Sequence, residues 1–364
     1  VVKTRLNKNK HKMKKRVLFI LKRRHDYNQE HYSNEGLATG LYNSATFVKD
    51  MLAKKGVPSK LVVVVDNNDI DREVALFNPT HVIIEGLWVV PEKFNVLNQL
   101  HPNVKWIVRI HSNTPFLANE GVAFDWIAQY TTKSKVYVAT NAKQMNKELK
   151  FYVKGRYSST PEREQNKIID LPNYYPKVFK STKRPNSKDE YINVGCFGAI
   201  RPLKNHMTQA IAALKFANSI NKKLRFHINT GRIEQNGQSV YNNLKAFFNT
   251  ISDKGHHLVE HEWMPREEFL ELCGQMDLGM QVSFSETFNI VAADFISQGV
   301  PVISSKEIPW MSRFFTTNPT NSDDISKILS RAYNQYSTNV LFNKSNLKIY
   351  SKKSEKIWSN FLVR

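Results

Sequence analysis

Short runs of β-branched residues recur along this chain, each followed by a stretch of helical periodicity, and that alternation limits the fold more than any other feature. "SKLVVVVD" (59–66), "THVIIEG" (80–86) and "VKWIVRIHS" (104–112) are too short and too rich in Val and Ile for helices, so they read as buried strands. "KVYVAT" and "KIIDLPN" continue the series, and a strand at 16–21 precedes it. Between the first two strands, "LYNSATFVKDMLAKKG" has helical periodicity and stops at Gly56, with a loop holding Gly36 and Gly40 before it. Strands alternating with helices imply a parallel sheet covered on both faces.

The alternation breaks once. "YYPKVFKSTKRPNSKDE" (174–190) is rich in Lys, Pro and Ser and reads as an interdomain linker. "YINVGCFG" then restarts the pattern, with helices expected at 207–218, 239–250 and 266–276 between the strands "LRFHIN", "HHLVEHEW" and "LGMQVS". At 364 residues the chain is long for one core, so two domains are expected. The boundaries follow: a basic tail 1–15, an N-terminal Rossmann-like domain 16–180, a C-terminal one 181–345, and a helix 346–364 free to pack back on the first domain. Ligands of such sheets sit beyond the carboxyl ends of the strands.

"SFSETFNIVAADFISQGVPVIS" (283–304) poses the sharpest question. Its helix, read as opening on Glu286, is apolar on almost every side, yet it carries Asp294 in its middle. Eight residues are about 2.2 turns, so both acids fall on one side of the helix start. An unpaired carboxylate among Ile, Val, Ala and Phe costs several kcal/mol (~2–7). Each acid therefore needs a partner, either a buried Arg or Lys or a polyhydroxylated ligand. The free N–H groups of Phe288, Asn289 and Ile290 form an anion site at such a helix start.

That stretch resembles the E-x7-E motif of the family 4 and group 1 glycosyltransferases, which have the GT-B fold. Glu286 falls on the first acid and Asp294 on the second, with Gly299-Val300-Pro301-Val302-Ile303 in register behind. Thr287 and Asn289 replace the family's two glycines, and Asp294 is one methylene shorter than the usual Glu. "VGCFGAIRPLKNH" matches a second family segment through Gly198, Ile200 and Lys204; Ala199 stands at the usual Arg position, and Arg201 lies two residues on. His111 ends a strand where the family often places a histidine facing the donor sugar, with Arg109 and Asn113 beside it. "SNEGLATGLYNSA", with Gly40, occupies the family's glycine loop, and "LPN" (171–173) resembles its crossing segment.

The resemblance implies an α/β protein of two doubly wound Rossmann-like domains facing a cleft. It implies transfer of a sugar from a UDP- or GDP-linked donor, with retention, and no metal or other cofactor. His111 and Glu286 become the catalytic candidates. Gly40, Gly198, Arg201, Lys204, Thr287, Phe288, Asn289, Ile290 and Asp294 become the donor-binding ones. Trp263 and Met264, after "VEHE", join them as candidates to stack on a base. The whole chain is also similar to group 1 glycosyltransferases carried by tailed phages.

Other patterns carry less. Asp69-Ile70-Asp71 has the D-x-D form of a metal site, but Asp and Asn runs after strands are commonly turns and caps. His256, His257 and His261 lie in a strand, where neighbours point to opposite faces, so no zinc site is expected. No P-loop is present. Cys196 and Cys273 read as small core residues of a reducing compartment. No apolar run approaches the roughly 18 residues of a membrane span, and 17–21 is too short for a signal peptide. A cytoplasmic protein is expected, in the host cytoplasm if phage-encoded.

The net charge of +21, from 53 basic and 32 acidic residues, calls for a polyanionic partner. With the phage resemblance, a modified base in DNA is the favoured acceptor. A cell-surface or lipid-linked glycan at an anionic membrane is the alternative. A nucleic-acid-binding protein with a degenerate GT-B fold is the third reading.

Overall fold

The structure is a computed structural model, and it describes residues 15–23, 39–155, 161–182 and 188–363. The N-terminal sheet comprises β1 (Val17–Lys22), β2 (Ser59–Val64), β3 (His81–Glu85), β4 (Lys105–Ile110), β5 (Val136–Thr140) and β6 (Ile168–Asp170). The C-terminal sheet comprises β7 (Tyr191–Gly195), β8 (Lys223–Asn229), β9 (His257–His261), β10 (Leu278–Gln281), β11 (Val302–Ser305) and β12 (Thr316–Thr317). Their orders are 2-1-3-4-5-6 and 12-11-10-7-8-9, with every pairing parallel. Residues of β1 and β3 are buried almost throughout, as continuous Val and Ile runs require when helices cover both faces.

Strand order reverses between β1 and β3 in one sheet and between β7 and β10 in the other. Each reversal opens a crevice at the carboxyl ends of the strands. Each sheet is also covered on both sides by its own apolar cluster. Phe94, Trp106 and Tyr130 pack on one face of the N-terminal sheet, and Ala45, Val48 and Trp358 on the other. Phe216 and Phe226 fill one side of the C-terminal sheet, Phe288, Phe295 and Trp310 the other.

The chain ends in a single helix, Tyr336–Val363, far longer than the tail at 346–364 read from sequence. Leu347 sits in the C-terminal cluster, while Trp358 and Leu362 sit in the N-terminal one. Trp358 donates its indole N–H to the Pro172 carbonyl at 2.8 Å. One helix therefore straps both domains.

Two expectations about local structure need correction. Gly40 lies in the first turn of the helix Thr39–Lys54 rather than in a loop, and the rest of its proposed loop, 33–38, is outside the described residues, as are the tail residues 1–14. The apolar helix begins at Ile290, not at Glu286, and runs Ile290–Ser297. Asn289 ends the preceding loop at φ 55°, ψ 91°, and its side chain caps the helix by accepting from the Ala292 N–H at 2.8 Å. The two acids are thus not partners on one helix face.

That helix lies unusually close to its sheet. A Cβ on Gly279 would come within 2.5 Å of the Phe295 ring, so only glycine lets β10 accept it. Gly299, at φ +77°, closes the helix where the linker passes: a Cβ there would fall 1.9 Å from the Ser181 carbonyl oxygen.

Candidate active site

The two strand-order reversals face each other across the cleft, and a cavity of about 190 Å³ lies between them. Gly40 and Asn43 reach it from the N-terminal domain; Gly198 and Asn229 come from the ends of β7 and β8, and Ile290 opens the helix that follows β10. Gly198 adopts φ +119°, and its N–H donates to Asn229 Oδ1 at 3.1 Å, which fixes the turn after β7. Trp263, Met264, Phe269 and Val291 give the cavity an apolar wall.

Its polar side is strongly cationic. Arg201, Lys204, Arg232 and Arg266 line it, facing Glu234 and Asp294. Arg201 pairs with Glu234 at 3.3 Å, and Arg232 pairs with the same carboxylate. Lys204 forms an ion pair with Glu286.

Asp294 is 1% exposed and already partnered. Arg266 reaches its two oxygens at 2.7 and 3.3 Å, and the Tyr175 hydroxyl donates at 2.8 Å. Burial pushes the carboxyl above its usual range, and the attraction of Arg266 with these hydrogen bonds offsets part of that. The two solutions open to each buried acid are thereby decided for the free protein: both carry a basic side chain.

Above the cavity, the loop 283–289 bridges the domains. Thr287 Oγ1 donates to the His111 carbonyl at 2.9 Å and accepts from Asn141 Nδ2 at 3.0 Å. Asn113 Nδ2 donates to the Glu286 carbonyl. Glu286 is thereby held beside the end of β4, where His111 stands.

His111 belongs to a buried network that no local pattern announces. Its Nε2 lies 2.5 Å from Glu85 Oε2, and Glu85 Oε1 accepts from Arg109 at 3.0 Å. Arg109 also donates to the Leu171 carbonyl at 3.0 Å and to Asn173 Oδ1 at 2.7 Å. Burial, with Arg109 nearby, lowers the imidazole pKa, and Glu85 resists the fall. Burial works against the charged form of Glu85, but Arg109 and His111 hold its pKa below the ordinary value. The pair is thus a carboxylate beside a neutral imidazole.

Of the candidates read from sequence, Gly40, Gly198, Arg201, Lys204, Trp263, Met264, Ile290 and Asp294 line the cavity. Glu286 joins through Lys204, and His111 lies across the bridging loop. Thr287 serves that bridge, Phe288 is buried against Trp310 and Tyr350, and Asn289 caps the helix, donating also to Gln281 Oε1 at 2.8 Å. Sequence reasoning misses Tyr175, Arg232, Glu234, Arg266 and Glu85, none of which stands in a recognisable motif.

The weaker patterns find ordinary places. Asp69 accepts from the Val65 N–H at 3.0 Å, and Asp71 meets His101 at 2.7 Å. His256 accepts from the Leu224 N–H at 3.0 Å, and His261 stacks on His227. Among the described residues, no three His, Cys, Asp or Glu are grouped to hold a metal ion. Both cysteines are buried and unpaired. No described helix is long and apolar enough to cross a membrane.

Two facing doubly wound sheets with a cleft between them are also the architecture of solved structures that superpose on almost the whole chain. Anabaena Alr3699/HepE, in complex with UDP and glucose, matches with a TM-score of 0.64 at 11% identity, over 96% of this chain and 99% of that one. The fold is GT-B. Sucrose-phosphate synthase from Thermosynechococcus elongatus shares this GT-B arrangement with a TM-score of 0.64 at 11% identity, over 95% and 98%. A trehalose-6-phosphate synthase, studied for glycosyl transfer with retention, matches at 0.62 and 10% identity, over 80% and 76%. No protein-family model and no curated protein sequence matches the chain.

Proposed function

We propose that this GT-B protein is a glycosyltransferase that moves a sugar from a nucleoside diphosphate sugar, UDP- or GDP-linked, to an acceptor hydroxyl. One observation carries the reading. A cationic pocket with an apolar wall lies at both strand-order reversals, and its lysine is paired with Glu286, on the loop that Thr287 ties to the His111 carbonyl. The relatives in fold are consistent with it, since HepE was solved with UDP and glucose.

The chemistry follows from the charges. A diphosphate entering the pocket meets Arg201, Lys204 and the free N–H groups at the start of the helix Ile290–Ser297. It competes with Glu286 for Lys204, which frees Glu286 to accept from hydroxyls of the transferred sugar. An ionised carboxylate offers roughly four acceptor positions. Arg266 and Tyr175 use three on Asp294, which leaves room for a ribose hydroxyl. The cations stabilise the charge that grows on the leaving diphosphate, so the proposed reaction needs no metal. His111, tied through its carbonyl to the loop that carries Glu286, faces an oxocarbenium-like transition state. The configuration is retained, as in the glycosyl transfer studied with the trehalose-6-phosphate synthase of similar fold.

Glu286→Ala tests the assignment. Turnover of UDP- or GDP-sugar should fall by a factor of about 10²–10³ while the nucleotide diphosphate still raises the melting temperature. Undiminished turnover would end the catalytic reading, and excess chelator should leave the wild-type rate unchanged. For the acceptor, the net charge of +21 favours a nucleic-acid base over a neutral glycan. A glycan at an anionic membrane is the competing case.

A further inference from the structure

The bridging loop 283–289 divides the cleft, and a second cavity of about 740 Å³ lies on its far side, sharing no lining residue with the first. Three parts of the fold meet there. Lys143 comes from the N-terminal domain, Lys306 and Arg313 follow β11, and Lys353 and Lys356 come from the strap helix. None of these five cations is in an ion pair among the described residues; Arg313 donates only to the Lys306 carbonyl, at 3.2 Å. The acids at this site are Asp170 and Glu307, and burial raises the pKa of both.

The basic surface extends beyond the cavity. The helix Lys143–Gly155 carries Lys143, Lys147, Lys150 and Lys154, all exposed, at spacings that align them in one stripe. Inside the cavity, Asn141 is 3% exposed, and its Oδ1 accepts no hydrogen bond; Asn113 Oδ1 and Asp170 Oδ1 are likewise unpartnered. Asn113 also donates to the Glu286 carbonyl and Asn141 to Thr287 Oγ1, so two residues that line this cavity hold the loop that carries Glu286.

We propose that the second cavity holds a single-stranded segment of nucleic acid, its unpaired cations taking the phosphodiester oxygens while the strand lies one loop away from the transferred sugar. The proposal rests on the reading of the acceptor as nucleic acid. Concavity decides against a membrane: a bilayer face meets convex lysine patches and cannot enter a recess walled by two domains and a helix. Charge-lined channels with few acids are the usual bed of a single strand. A duplex is too wide for the cavity, so a target base arrives on an opened strand.

The test uses the whole chain, a fluorescein-labelled oligothymidylate and phosphatidylglycerol vesicles. Wild type should bind the oligonucleotide, with affinity falling as salt rises. Lys353→Gln with Lys356→Gln should weaken binding and reduce the log–log salt slope by roughly 0.7 for each phosphate that is no longer neutralised. Lys143→Gln with Lys306→Gln, on different elements, should do the same, which guards against a folding defect in either pair. Both variants should keep the thermal stabilisation given by UDP or GDP. Unchanged affinity and slope in both variants would overturn the proposal, as would wild-type binding to vesicles but not to the oligonucleotide. If neither nucleotide stabilises any of the proteins while the oligonucleotide results hold, the donor reading fails and this one stands.

Discussion

Glu85 is the residue on which the candidate chemistry turns, although it lines neither of the two cavities described above. It is fully buried at the end of β3, and it joins the Arg109 guanidinium to the His111 ring. Its charge raises the pKa of His111, whereas burial and Arg109 lower it. Removing that charge while keeping the shape should therefore move the imidazole further down. In Glu85→Gln, the acid limb of the pH–rate profile should shift to lower pH, and the maximal rate should drop because the ring is no longer oriented. An acid limb that stays in place, or moves up, would show that Glu85 only packs. The same substitution leaves Arg109 buried beside a neutral amide, so a stability loss of about 3–5 kcal/mol should accompany it in denaturant titration.

At the scale of elements, the helix Ile290–Ser297 shows what is legible in a sequence and what is not. The strands are legible because β-branched runs such as those at 61–65 and 82–84 carry their signal in neighbouring residues. The layout of two doubly wound domains follows from their alternation and the linker. The start of this helix is misplaced by four residues when read from sequence, since Thr287 and Phe288 continue an apolar run and Asn289 does not announce a left-handed conformation as glycine would. Nor can the partners of Asp294 be found locally, because Arg266 and Tyr175 lie 28 and 119 residues away. The start position is testable. Asn289→Gly keeps the backbone accessible and should cost no more than about 1 kcal/mol, from the lost cap. Asn289→Val loses the cap and forces a β-branched residue to positive φ, which adds about 1–3 kcal/mol. It should also weaken nucleotide binding by displacing the N–H groups of Ile290 and Val291. Equal stability and binding in the two variants, measured by urea unfolding and thermal shift with UDP, would place the helix start elsewhere.

At the scale of the molecule, the two domains share one response to acid. His81 in β3, His206 at the start of the helix His206–Ser219 and His227 in β8 are each pushed down to about 3 by burial, with nearby cations or His261 adding to it. His111, His256 and His261 shift in the same direction. An unfolded imidazole takes its proton at about 6.5, whereas the rings of His81, His206 and His227 resist protonation until about 3. Between those values the unfolded state binds more protons, so the stability present above pH ~6.5 is lost as the pH falls. Each such ring contributes up to about 1.4 kcal/mol per pH unit in that window. His81 has a further consequence, because its ring packs edge-on against Phe361 of the strap helix, with centroids 5.5 Å apart. Protonating it therefore loosens the packing through which the last turns of that helix hold the N-terminal domain. Urea unfolding between pH 7 and 4 should show a steep loss of stability, and His81→Leu should make the dependence shallower by about one ring's share. A flat profile for the wild type, or an unchanged slope in the variant, would mean that these histidines are already protonated or exposed in the folded protein. The strap would then have to be independent of pH.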